Sequence, residues 1–176
     1  MDKKGFSQHI SRQYNEDLEQ IITQVMTMGG LVEQQLEGAM DALVNGDQVK
    51  GEEVITSDYR INAMEVELDD ACTNVLARRQ PAASDLRLIV AVIKTITDLE
   101  RIGDEAERVG RMALHLLDED RRRSPMAEIG ALGNQVKKWL MVHSTRLLAW
   151  TPNRRCGLRK RTSRRMRNMT QSFATW

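Results

Sequence analysis

Glu100 and Asp104 stand four residues apart in a stretch that reads Asp98-Leu99-Glu100-Arg101-Ile102-Gly103-Asp104. On a helix, positions four apart lie on one face. Two carboxylates on one face, with no basic residue between them there, are the oxygen donors that hard cations take. Spacing alone does not make a metal centre, because exposed helix faces are ordinarily charged. Pro81 strengthens the signal. It breaks a long helical pattern, so the stretches on either side form a hairpin turning near Gln80. Asp58 lies 22 residues before Gln80 and Asp104 lies 24 after it. Positions at matched distances from a turn lie side by side in an antiparallel helix pair. Asp58 and Asn62 are therefore expected level with Asp104 and Glu100. Glu65 and Asp69 are expected about one to two turns nearer the hairpin. Glu33 and Glu37 of the first helix are expected near the height of Asp58. Oxygen ligands gathered at one height suit Mg²⁺, Mn²⁺ or iron. Arg60 and Arg101 offer the competing arrangement, surface ion pairs worth about 0–1 kcal/mol each.

Other chemistries find no support. Di-metal carboxylate oxidases built in helix bundles commonly use Glu-x-x-His on facing helices. The three histidines, His9, His115 and His143, follow Phe6, Met112 and Leu140 at that offset. No Gly-rich loop followed by Lys and Ser or Thr is present. Cys72 and Cys156 lack metal or redox spacing, and Cys72 falls in an apolar helical register, the place of a reduced core thiol. The chain reads as a binding protein and not an enzyme, with no catalytic residue.

The elements that position these residues are long helices. Aromatics make up 4%, there are three prolines and ten methionines, and 29% of residues are charged. This profile favours helices with aliphatic seams in one domain with an appendage. The first pattern covers residues 10–44, with Ile10, Tyr14, Leu18, Ile21, Val25, Gly29, Val32, Leu36, Met40 and Leu43 recurring at threes and fours. Asn45-Gly46-Asp47 supplies a stop and a new N-cap. A second helix is expected over about 48–79, on Val54, Ile61, Met64, Leu68, Cys72 and Val75. A third, about 82–118, places Leu86, Ile89, Val90, Ile93, Ile96, Leu99, Ile102, Ala106, Val109, Ala113 and Leu116 on its seam. Gly103 and Gly110 inside it suggest close approach of another backbone. Residues 121–125 read as a linker, and Ser124-Pro125 begins a fourth helix on Met126, Ile129, Leu132, Val136, Leu140 and Val142. The fold class is all-α: an antiparallel three-helix bundle over 5–120, then one further helix over 126–145.

The charge balance splits sharply. Residues 1–145 hold all 25 acidic side chains and 17 of the 26 basic ones, a formal charge of −8. Residues 146–176 hold the other nine basic residues and no acid. That tail carries Trp150, Phe173 and Trp176, which could stack on bases, but no recognisable nucleic-acid module. The longest apolar run, Leu88 to Ile93, is too short to span a bilayer. No apolar segment follows the N-terminal residues as a secretory signal would, so a cytoplasmic location is expected.

Several of these stretches together resemble the PhoU family of phosphate-transport regulators. They are Met28 to Leu43, Asp58-Tyr59-Arg60-Ile61-Asn62, Arg79-Gln80-Pro81, Asp85-Leu86-Arg87 and Asp98 to Asp104. The resemblance runs over about residues 5–140. It implies an all-helical protein of two tandem three-helix repeats, cytoplasmic and homo-oligomeric, that works as an adaptor. In phosphate plenty, such a protein restrains the high-affinity phosphate importer. It also keeps the phosphate-sensing histidine kinase from activating its response regulator. The implied partners are the importer's ATPase subunit and that kinase. Some members bind a divalent metal such as iron or zinc through Glu or Asp followed four residues later by Asp. Carried over by position, Glu100 and Asp104 match that motif, and Asp58 matches the first position of its counterpart. Asn62 stands where the second acid would be, which lowers the charge of the site. The expected metal residues are thus Asp58, Asn62, Glu100 and Asp104, with Mg²⁺, Mn²⁺, iron or zinc as the ion.

The C-terminal part departs from the family. A second repeat would begin near residue 130, and Ala131 to Lys138 still fits that beginning. After about Leu140 nothing fits, and the composition changes inside a predicted helix. The expectation is a truncated or frame-shifted second repeat followed by an irregular Arg-rich tail. The alternative to a working regulator is an inactive incomplete member, or a metal-binding helical bundle of another role.

Overall fold

The computed structural model of the chain describes residues 3–81, 83–118 and 126–150. The expected linker at 121–125 and the tail from residue 151 lie outside them. Every element is a helix: α1 (Lys3–Asn45), α2 (Gln48–Ser57), α3 (Tyr59–Arg79), α4 (Ala83–Asp118) and α5 (Met126–Trp150). No strand occurs among the described residues.

The break between α1 and α2 works as its residue types require. Gly46 takes a left-handed φ of 75°, and its N–H donates to the Ala42 carbonyl at 3.0 Å. Glycine adopts that conformation without a Cβ clash and so closes α1. Asp47 then caps α2, its Oδ1 accepting the Lys50 N–H at 3.1 Å. At the hairpin Gln80 caps α3 with φ 43° and ψ 65°, just before Pro81. The one departure in element order is the second expected helix, which is interrupted at Asp58 to give α2 and α3.

α1, the α2–α3 rod and α4 form an antiparallel three-helix bundle. On α1 the buried line runs Leu18, Ile21, Val25, Met28, Val32, Gln35, Ala39, Ala42. On α4 it runs Ile89, Val92, Ile96, Leu99, Gly103, Ala106, Gly110, Ala113. Both alternate threes and fours, the spacing that keeps one seam facing its partners over many turns. Val54, Ile61, Leu68, Cys72 and Val75 complete the core from the α2–α3 rod.

Two expected seam residues of α4 face outward: Leu86 and Val90 are each 42% exposed. Val90 is displaced from the Ile89 line by one residue, about 100° of helix rotation. Leu86 is in line but sits in the first turn, where cover runs out.

α5 extends to Trp150, past the expected end at 145. It packs antiparallel on α1. A Cβ on Gly130 would meet Val44, one on Gly133 would meet Met40, and Lys137 pairs with Glu37. Of the expected seam, Met126, Ile129 and Leu140 pack against the core. Leu132, Val136 and Val142 are exposed, as is Trp139. The small Gly133 lets the α5 backbone approach Met40 closely.

Candidate functional site

The site is built around the interruption at Asp58. The Asp58 backbone stays helical, with φ −56° and ψ −36°, and its carbonyl accepts from the N–H of Ile61 at 2.9 Å and of Asn62 at 3.3 Å. The ladder is disturbed one turn earlier. There the Val54 carbonyl accepts from Gln35 Nε2 and from Ser57 Oγ, each at 3.3 Å. Side-chain donors inserted into a helix ladder bend or break it.

The Asp58 carboxylate is held from two sides. Its Oδ1 accepts from Gln35 Nε2 at 2.9 Å, and its Oδ2 accepts from Asn62 Nδ2 at 3.0 Å. Gln35 reaches it from α1 and is only 4% exposed. Its amide orientation is fixed by chemistry: both neighbours of Nε2 are oxygen acceptors, which the amide oxygen would repel. Gln35 Oε1 is buried without a hydrogen-bond partner among the described residues. Such an unmet carbonyl costs about 1–3 kcal/mol. Across from it lies Gly103 of α4, where a Cβ would stand 3.1 Å from Gln35 Oε1 and 3.1 Å from Ile61 Cδ1. The glycine of the Asp98–Asp104 stretch thus lets α4 close against both α1 and α3.

Glu100 and Asp104 are half-buried on α4, with Glu65 half-buried on α3. The Glu100 carboxyl is held above the usual carboxylate range, chiefly by burial, then by Asp104 and Glu65. Arg101 offsets part of this, and Asp58 adds to it. The charges that act on Glu100 thus include Asp58 and Glu65, from across the hairpin. Glu33 and Glu37 do not join them. Glu37 pairs with Lys137 of α5, and the charges felt by Glu33 are those of Lys137 and Glu37. Arg60 turns to the Tyr59 ring, its guanidinium 5.9 Å from the centroid.

This arrangement lies within a segment, residues 25–113, that matches the PhoU domain family. The chain belongs to the PhoU domain family. It is 44% identical over 138 residues to the phosphate-specific transport system accessory protein PhoU homolog of Pseudomonas aeruginosa, covering 78% of this chain and 57% of that protein. It is 53% identical over 114 residues to the phosphate-specific transport system accessory protein PhoU of Escherichia coli, covering 65% of this chain and 47% of that protein. The crystal structure of PhoU from Pseudomonas aeruginosa matches with a TM-score of 0.71 at 44% identity, covering 73% of this chain and 61% of that one. The chain thus spans about half the length of these relatives.

The acids of this PhoU domain can be tested against a divalent cation by their donor chemistry. Each oxygen of Asp58 already accepts an amide N–H, and Asn62 turns its Nδ2 toward Asp58. Among the described residues no three His, Cys, Asp or Glu side chains are placed to hold a metal ion. As it stands, the set at Asp58 and Asn62 favours hydrogen bonding over ligation. Gln35, absent from the sequence-based site, is the residue that joins α1, Asp58 and Gly103. Its register on the Met28–Val32–Ala39–Ala42 line is the signal that would have found it.

Proposed function

We propose that this PhoU-domain chain is an accessory regulator of phosphate uptake, acting as an adaptor in the cytoplasm. In this reading it docks on the ATPase subunit of the phosphate importer and on the phosphate-sensing histidine kinase. It restrains uptake and starvation signalling when phosphate is plentiful. The observation that carries the reading is the family match over residues 25–113, together with relatives named as accessory proteins of phosphate-specific transport. Two properties of the molecule agree with it. Residues 1–145 carry a formal charge of −8, and the described helices among them place many of their charged side chains on exposed faces. No helix among the described residues is long and apolar enough to cross a membrane.

Adaptors of this kind couple sites by binding two partner states unequally, so the role requires surfaces and not a catalytic constellation. The outward line Leu132, Val136, Trp139 and Val142 on α5 adds an apolar surface that self-association would cover. The reading is tested in a bacterium lacking its own PhoU-domain protein and carrying a phosphate-starvation reporter. Expressing the chain is expected to lower reporter output in phosphate-rich medium. Unchanged output, with the chain accumulating as folded protein, would overturn the regulatory role.

A further inference from the structure

Asp58 occupies the one break in the α2–α3 rod with its carboxylate half-buried, and its charge joins those of Asp104 and Glu65 in acting on Glu100. A negative cluster of that kind needs a counter-charge or enough hydrogen-bond donors to remain packed. The structure supplies donors. Gln35 Nε2, from the buried line of α1, reaches Asp58 Oδ1 at 2.9 Å, and Asn62 Nδ2, one turn along α3, reaches Asp58 Oδ2 at 3.0 Å. The same Gln35 Nε2 also reaches the Val54 carbonyl, which ties the end of α2 to the start of α3.

We propose that Gln35 and Asn62 hold Asp58 in the place of a metal ion, so that the junction between α2 and α3 closes without a cation. Two features of the molecule support this. Asn62 is the position where an acid would complete an i,i+4 pair with Asp58. In this chain that position instead gives Asp58 a neutral donor. Gln35 is 4% exposed and leaves its own Oε1 without a hydrogen bond among the described residues. A buried amide that forgoes one partner to keep its Nε2 on two acceptors is positioned for those acceptors. Asp58, Gln35 and Asn62 are therefore structural positioning residues, and the junction is insensitive to divalent ions.

The test is thermal unfolding of the full chain in chelator and in millimolar Mn²⁺ or Mg²⁺, with calorimetric titration of Mn²⁺ beside it. The wild-type Tm is expected to be the same in both conditions, with no saturable Mn²⁺ binding. Asn62→Asp removes one donor and completes the acidic pair. Its Tm is expected to fall by several degrees in chelator and to recover in Mn²⁺. Gln35→Met keeps the side-chain length and removes the amide, and is expected to lower the Tm equally in both conditions. A wild-type Tm that falls in chelator, or saturable wild-type Mn²⁺ binding, would overturn the proposal without recourse to any variant. An Asn62→Asp protein that matches wild type in chelator, or a Gln35→Met protein of unchanged Tm, would also overturn it.

Discussion

Ile96 and Val90 lie on the same helix, and both belong to the apolar pattern that the sequence places on its seam. The structure separates them. Ile96 is fully buried at the middle of the α4 line, against the main core cluster. Val90 is 42% exposed. Replacing Ile96 with Ala removes buried apolar atoms and leaves a cavity that a close-packed bundle refills only partly, a loss of about 2–5 kcal/mol. At about 4 °C for each kcal/mol in a domain of this size, the Tm should fall by about 8–20 °C. Val90→Ala removes atoms that already face water. Alanine is also the better helix former, so the change should stay within about 0.5 kcal/mol and can be of either sign. Denaturant and thermal unfolding followed by circular dichroism at the helix band would measure both. Equal losses for the two variants would refute the assignment of the α4 face and, with it, the placing of Glu100 and Asp104.

Three further outcomes follow from local features. The Cys72 thiol is buried and its pKa is pushed up to about 11, first by burial and then by the charge of Asp69. At pH 8 it should stay unlabelled by a thiol reagent in the native protein and react on unfolding, as mass mapping of the labelled peptide would show; fast native labelling would contradict its place in the core. Because the thiol's folded pKa is raised, its contribution to stability is present below its unfolded pKa and declines as pH rises through 11, which disfavours the fold in strong alkali. Asp47→Ala removes the side-chain cap of α2 and should lower stability by about 1 kcal/mol in denaturant unfolding, whereas an unchanged midpoint would show that the cap contributes nothing.

Much of this fold is written in local chemistry. Gly46-Asp47 and Pro81 end and begin helices where their residue types require, while Gln80 takes a left-handed conformation that its type does not favour. The threes and fours of α1 and α4 identify most of the core. The hairpin puts Asp58 among the charges that act on Glu100. Three features are not legible in the same way, because tertiary contacts decide them. The break at Asp58 has no glycine or proline behind it, since it arises where Gln35 and Ser57 compete for the Val54 carbonyl. Gln35 is polar and flanked by Glu33, Gln34 and Glu37, so only its register on the buried line betrays it. On α5 the buried Gly133 faces α1 while Leu132 and Val136 stay exposed, although Met126, Ile129 and Leu140 pack inward as their spacing predicts. Sequence patterns weight bulk, while close helix approach rewards its absence.

The acidic residues teach a related lesson. Spacing nominates Asp58, Asn62, Glu100 and Asp104 but does not specify what satisfies them. That depends on whether each neighbour offers an oxygen or a nitrogen. At Asp58 both close neighbours offer an amide N–H.

The most direct measurement of the proposed role is a binding titration of the purified chain against the ATPase subunit of the phosphate importer, run in chelator and in Mg²⁺ or Mn²⁺. Saturable binding of equal strength in both conditions is the predicted result, placing the docking surface in the helices described here and leaving it independent of a cation. Absence of binding, under conditions where a full-length PhoU relative binds, would contradict the adaptor role.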